Sequence, residues 1–515
     1  MAKIGKSVKT VGFISIAIFL SKVLGMLRDS MFANIYGTSM VSDAYVSASR
    51  IPILFFDLTF GAAVIATFIP VFSGYLQKNE KKKAFEFANS FLNLVFIISG
   101  IFCVIGIVFS GWILKIMSPG LDVETAELAR RLLVILLPST IFTSIAYVFV
   151  GILQALDEFN IPALISLVSN VAVICYLMFF NQHYGIYGMA TAMLIGWVLQ
   201  VIIQIPSLIK KKYRYKPTLK IKNSDFFGVL KLAAPVLVSS WVQPICVAVN
   251  LHYASYLTRG AATAMNYANN LYIIIVGVFS FSITNYIFPQ LSKLSAGGAK
   301  EEYSKVIKKS IRVMSVIILP VMVGLMVVAT PIIQVIYARG EFVENSVAMT
   351  STALFFYCFG MLALAFNEVL NKGFYAKQQG KTPMIASVLG MILNLGLSWV
   401  LTTRTNLGLG GLALSTAVSL NVICVILIVG MRKNIDKLID KDFLIHFAKV
   451  LASAIVMLGM AVLVSRLTVS YGKYIQLVST VAVGAIAYFV STLLFKVDEI
   501  WFIARMLPFI KTEEK

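Results

Sequence analysis

Three charged residues stand inside the first long apolar stretch of this 515-residue chain. The run VGFISIAIFL continues with no turn signal into SKVLGMLRDSMF, which puts Lys22, Arg28 and Asp29 in one helical segment. Lys22 and Asp29 are seven residues apart and share a helix face, with Arg28 beside them. The next segment repeats the pattern: Asp43, Arg50 and Asp57 are also spaced by seven and form one stripe. A lone Arg, Lys or Asp at the centre of a membrane helix costs about 2.5–3.5 kcal/mol on insertion scales, so such residues persist where they pair or line a polar cavity. Two readings follow. The charges could be a salt-bridge network that only staples the two segments together. They could instead form a cavity wall that receives an anionic group, with Lys22, Arg28 and Arg50 as the cations and Asp29 and Asp43 holding them in place. The number of charges gathered in one half of the chain favours the second reading.

The corresponding part of the second half carries NYANNLY (266–272), Asn250 and His252, and no central arginine. Asn266, Asn269 and Asn270 can hydrogen-bond a sugar or a phosphate, or equally bind helix to helix. Glu368, with Asn367, is an isolated polar pair. Nothing suggests an enzyme. There is no Walker A sequence, the three histidines make no HExxH pattern and the five cysteines no CxxC. Neither a cofactor nor a metal is expected.

These residues must be positioned by helices in a bilayer. The composition is 59% hydrophobic and 13% charged, with mean hydropathy +0.87. Apolar runs long enough to span recur along the whole chain, which makes it an all-α polytopic membrane protein. We read fourteen transmembrane helices between residues 9 and 495. The net charge of +21 then reflects basic cytoplasmic loops rather than nucleic-acid binding. QKNEKKK (77–83), the segment 210–223, the segment 293–312, KQQGK (377–381) and RKNIDKLIDK (432–441) all fall on one side, and both termini fall with them. That side is cytoplasmic, so the expected location is the cell membrane, with the N-terminus and C-terminus inside. The interrupted first stretch should stay as a span, because it has no signal-peptide cleavage pattern.

The chain also repeats itself. ATFIPVFSGYLQKN (66–79) matches NYIFPQLSKLSAGG (285–298), GILQALDEFNIPALISLVSNVAVI (151–174) matches KGFYAKQQGKTPMIASVLGMILNL (372–395), and GIYGMATAM (185–193) matches GLGGLALST (408–416). Pro70 pairs with Pro289, Pro162 with Pro383 and Gly188 with Gly411, at the nearly constant offsets 219, 221 and 223. The expectation is two pseudo-symmetric six-helix lobes plus two C-terminal helices. Residues 1–209 are the N-lobe, 210–225 a basic cytoplasmic linker, 226–431 the C-lobe, 432–442 a second linker, and 443–515 the last two spans and the tail. Parallel repeats of this kind place a transport site between the halves near the midplane. Pro52, Pro138, Pro235 and Pro244 would kink their helices.

Several of these segments together are familiar. SKVLGMLRD, SDAYVSASRIP, FIPVFSGYL, ILQALDEFNIPA, LQVIIQIPSL and GFYAKQQGKTP resemble the MurJ (MviN) lipid II flippases of the multidrug/oligosaccharidyl-lipid/polysaccharide exporter superfamily. The resemblance runs through all the spans in order. It implies an activity: moving undecaprenyl-pyrophosphate-linked peptidoglycan precursor from the inner to the outer leaflet. It also implies a polyprenyl-pyrophosphate-linked glycan and membrane lipids as binding partners, and cell-wall synthesis proteins as candidate partners. The family's first-span arginine matches Arg28, its preceding base Lys22, and its early second-span aspartate Asp43. The later second-span arginine falls on Phe56 and the eighth-span arginine on Asn270. Some members hold sodium in the second lobe with acidic side chains, but the nearest positions here, Asn250, Asn394 and Ser398, are neutral. The expected substrate-binding set is Lys22, Arg28, Asp29, Asp43, Arg50 and Asn270. These departures leave two alternatives: a flippase for another polyprenyl-linked oligosaccharide, or a non-transporting scaffold of the cell-wall machinery.

Overall fold

The computed structural model describes residues 2–61, 64–218, 234–235, 237–435, 438–497 and 499. The expected linker residues 219–225, the start of the seventh span and the tail from 500 onward therefore lie outside the described residues. The described chain is helical, and two compact units divide it. One holds residues up to Thr263 with Arg339–Phe342, and the other holds Ala264–Ala338 with everything from Val343.

The first unit begins with α1 (Ala2–Tyr36) and α2 (Met40–Phe56). Ser39 caps α2, its hydroxyl accepting from Ser42 N–H while Ser42 answers to the Ser39 N–H. Beyond Phe56 the chain winds into widened π turns at Asp57–Gly61 and Val64–Phe68 before α3 (Ile69–Gln77). The unit continues with α4 (Lys81–Val108), α5 (Ser110–Met117), α6 (Val123–Leu136), α7 (Ser139–Ala155), α8 (Asn160–Phe179), α9 (Asn181–Ile202) and α10 (Ile205–Lys210). A phenylalanine-rich core of Phe56, Phe60, Phe68, Phe72, Phe87 and Phe91 joins α2–α4 to α7. After α10 the chain lies back along α4. Tyr213 donates to Asn89 Oδ1 at 2.6 Å and Asn93 donates to Thr218 O at 2.8 Å. The helix α11 (Val242–Ala254) packs on α2 and α5, and α12 (Ala261–Ala296) follows.

The second unit contains most of α12, then α13 (Lys300–Val327), α14 (Ala329–Ile336), α15 (Glu344–Cys358), α16 (Met361–Ala376), α17 (Lys381–Thr403), α18 (Leu409–Met431), α19 (Lys441–Thr468) and α20 (Lys473–Leu494). Asp440 caps α19. It accepts from the Phe443 N–H and from Lys308 at 2.7 Å, and this lysine bond above all holds its carboxyl below the usual carboxylate range.

The element order of the two units rhymes. A 28-residue helix is followed by an 8-residue one at α4–α5 and again at α13–α14. A bent pair follows each time, α6–α7 at 40° and α15–α16 at 47°. Pro138 sits at the first bend. Left-handed residues fall at matching places: Asn79 and Gly298, Asp157 and Gln378, Gly185 and Gly408, Gly37 and Gly260. Among the described residues, nine helices are long and apolar enough to cross a membrane, or eleven if each bent pair is one span. The protein is thus an all-helical, multi-pass membrane protein.

Candidate substrate site

Arg28 projects from the last third of α1 and is oriented by two neighbours. Its Nε and Nη2 both donate to Asp29 Oδ1, at 3.1 and 2.8 Å, and its Nη1 donates to Asn170 Oδ1 at 3.1 Å. Asn170 belongs to α8, the helix against which α1 packs, and its amide donates in turn to Ser21 O. An arginine held by a carboxylate on one side and an amide on the other is fixed in plane, which is what bidentate recognition of an oxyanion requires. Both members of the pair keep contact with solvent, with side-chain exposures of 25% for Arg28 and 15% for Asp29. Gly25, one turn earlier, faces the Asn170 amide, and a Cβ there would make only an ordinary contact, 3.5 Å from its Nδ2. Lys22 is exposed on the same helix.

Asp43 is placed differently. It is buried near the start of α2, and its carboxylate accepts from Gly260 N–H at 2.6 Å, Thr263 N–H at 2.9 Å and Thr263 Oγ1 at 2.7 Å. The first N–H groups of a helix have no acceptor within it. Asp43 supplies one to α12 from another helix, and its negative charge suits that end of the dipole. The approach is close enough to need glycine: a Cβ on Gly260, where φ is +86°, would sit 2.3 Å from Thr38 O. Arg50 and Asp57, two turns apart on the stripe, are partly buried and attract one another, and Asp57 begins the first π turn. π turns within α-helices often mark functional positions. Asn270 lies in the other unit, on α12, partly exposed.

The structure thus brings Arg28 and Asp29 together and sets Arg50 within electrostatic reach of Asp57. It commits Asp43 to the 260–263 turn. Phe56 is buried in the phenylalanine core, its ring 4.6 Å from that of Tyr147. Asn394 and Ser398 lie in a fully buried neutral network with Ser415: Asn394 Nδ2 is 3.2 Å from Ser415 Oγ, and the two serine hydroxyls are 2.7 Å apart. Among the described residues no group of three or more His, Cys, Asp or Glu could hold a metal ion. Sequence reasoning missed Asn170, Gly260 and Thr263. A single asparagine in the apolar run 161–180 was the available signal for the first. The other two depend on a contact far along the chain. Outside the spans, Asp122 caps α6 and pairs with Arg259 at 3.1 Å. Its bond from the Thr125 N–H, then that from the Thr125 hydroxyl, holds its carboxyl low.

Residues 32–483 match the family model described as Lipid II flippase MurJ. The chain belongs to the MurJ lipid II flippase family. A "Probable lipid II flippase MurJ" of Buchnera aphidicola subsp. Acyrthosiphon pisum is 30% identical over 389 residues, covering 74% of this chain and 75% of that protein. A "Lipid II flippase MurJ" of Burkholderia cenocepacia is 26% identical and covers 86% and 87%. Among solved structures, one titled "Lipid II flippase MurJ, inward closed conformation" superposes with TM-score 0.81 at 26% identity, over 95% of this chain and 99% of that one. A multidrug resistance MATE family transporter shares the fold at 17% identity with TM-score 0.69. The family match begins at residue 32, four residues after Arg28, and takes in α2 and α8, the helices that hold Asp43 and Asn170.

Proposed function

We propose that this chain moves lipid II, the undecaprenyl-pyrophosphate-linked peptidoglycan precursor, from the inner to the outer leaflet by alternating access. The observation that carries this reading is the orientation of Arg28 by Asp29 and Asn170 on α1 of a MurJ-family protein. Charge-assisted hydrogen bonds to phosphate oxygens are roughly twice as strong as neutral ones. We assign Arg28 to the pyrophosphate, Lys22 to its attraction, Asp29 to holding the guanidinium, Arg50 to a second cationic contact and Asn270 to a weaker one. Asp43 acts on the closed arrangement of the 260–263 turn. The prenyl tail stays in lipid along α19 and α20, whose outward residues Ile455, Leu463, Val478, Ile486 and Leu494 are exposed and apolar. The full topology is fourteen spans with both termini cytoplasmic.

Complementation of a strain depleted of its lipid II flippase tests the reading. The wild-type chain should restore growth, and Arg28→Ala should abolish it at near-normal membrane abundance. Growth restored equally by Arg28→Ala would sink the pyrophosphate role. Loss of Arg28→Ala from the membrane would show that the charge only staples helices. Failure of the wild type would point to another polyprenyl-linked substrate.

A further inference from the structure

A cavity with a cationic lining lies within the second unit, where α12 gives way to α13. Its volume is about 200 Å³, and it is lined by Leu294, Ser295, Gly298, Ala299, Lys300, Tyr303, Lys377 and Gln379. Two of these carry ammonium groups and none carries a carboxylate. Lys377 lies over the ring of Tyr303, 4.6 Å from its centroid, and its Nζ is 3.4 Å from Asn434 Oδ1. Tyr303 is fully buried and its hydroxyl is tied to Gly373 O at 2.8 Å, so the platform beneath the ammonium is rigid. Asn434 donates to Gln379 Oε1 at 2.6 Å, which holds the Gln379 side chain at the cavity wall. In the first turn of α13, Glu301 is engaged by Lys305 at 2.8 Å, and neither Glu301 nor Glu302 lines the cavity. Burial, and then the neighbouring Lys300 charge, push the Lys377 ammonium below the usual lysine range. Two like charges facing one cavity repel, and an anion between them removes that cost.

The first unit serves as an internal control. At the repeat offsets, Ala299 corresponds to Glu80, Lys377 to Leu156 and Gln379 to Glu158. There, Glu80 pairs with Lys83 at 2.8 Å and Glu158 accepts from the Asn160 N–H. The same turn geometry, with left-handed Asn79 and Asp157 matching Gly298 and Gln378, therefore carries two carboxylates and one lysine, Lys81 in the place of Lys300, in one unit, and two lysines with no carboxylate in the other. The fold does not impose the cationic cavity; the sequence of the second half does.

We propose that this cavity binds one phosphate group, that of an anionic phospholipid headgroup or of a free phosphate species, between Lys300 and Lys377. Ser295 and Gln379 are the neutral donors at its wall. The site is separate from the residues assigned to lipid II and does not depend on that assignment. The test uses the purified full-length protein in two arms. In the first, inorganic phosphate is titrated against chloride at matched ionic strength, followed by calorimetry. In the second, the protein is placed in nanodiscs of phosphatidylglycerol or phosphatidylcholine in phosphate-free buffer, and lipid retained after release is measured by native mass spectrometry. In one arm or both, Lys300→Met/Lys377→Met should weaken binding by roughly tenfold or more, the scale of a lost charged hydrogen bond. Lys81→Met/Lys82→Met, which removes equal charge at the matching turn of the first unit, should bind like wild type. Lys377→Arg should keep part of the affinity. Should the double variant fail to fold, Lys377→Gln is read in its place. An effect confined to phosphatidylglycerol identifies a lipid headgroup, and one seen with inorganic phosphate identifies a free phosphate. No binding by the wild type in either arm, or equal binding by wild type and the lysine variants in both, overturns the proposal.

Discussion

Asp43→Ala should release the turn that precedes α12. The wild-type carboxylate accepts three hydrogen bonds at 2.6–2.9 Å, two of them from backbone N–H groups that have no other helical acceptor. Hydrogen bonds to a charged group contribute about 1.5–3 kcal/mol each and do not add fully, so we take the loss as about 4 kcal/mol. At about 1.4 kcal/mol per factor of ten, the opening equilibrium of the 258–264 segment shifts by about a thousandfold. Hydrogen exchange read by mass spectrometry on peptides spanning that segment reports it directly. We expect protection to fall by at least about a hundredfold, allowing for relaxation around the cavity left behind. Asp43→Asn should be intermediate. Its carbonyl oxygen can still accept from Thr263, but its amide then faces the Gly260 N–H. Gly260→Ala should open the same segment by a different route, since its Cβ would meet Thr38 O at 2.3 Å. Exchange in Asp43→Ala equal to that of the wild type would refute the capping argument.

Arg50→Ala should impair complementation severely and Arg50→Lys noticeably, whereas Asn270→Ala should be mild, because a neutral amide cannot match a bidentate guanidinium on a phosphate. Equal damage from Asn270→Ala would mean that the second unit shares the grip. Asp122→Ala should lower stability by about 1 kcal/mol through loss of the α6 cap, seen as a small drop in melting temperature. Its carboxyl is depressed in the folded state, so this contribution is present above the unfolded carboxylate pKa and disappears as pH falls through the lower folded value. The difference between wild type and variant should therefore vanish only in acid, below about pH 4. For the topology, cysteines at Val123 and Asn345 should react with an impermeant thiol reagent from outside and one at Gly297 should not. Val123 is preferable to Gly120, where a Cβ would lie 2.4 Å from Ser255 O.

The sequence alone determined the class, the helical repeat and the first-span charges. Apolar runs of spanning length leave no other backbone solution in a bilayer, because every N–H and C=O must be satisfied within the segment. The internal offsets were legible for a similar reason. Left-handed turns such as those at Gly185 and Gly408, and the repeated prolines Pro70/Pro289 and Pro162/Pro383, leave local signatures. Arg28 and Asp29 stood out because a charge in an apolar helix is costly wherever it points. Only the tertiary structure decided what each charge touches. Asp43 read as one member of a stripe with Arg50 and Asp57, since helical spacing gives the face but not the neighbour. Its acceptors are filled by Gly260 and Thr263, more than two hundred residues on, and no local pattern encodes that meeting. Asn170 was one asparagine in an apolar run until α1 packed on α8 and set it against Arg28. Lys300 and Lys377 lay in two separate basic loops, which by composition alone are ordinary charge on the cytoplasmic side. The packing of Tyr303 beneath Lys377 turned one of those loop lysines into the wall of a cavity. Periodicity and composition are one-dimensional and fix which residues face together. Which faces then meet depends on side-chain shape across helices distant in sequence, and that is settled only when the helices pack.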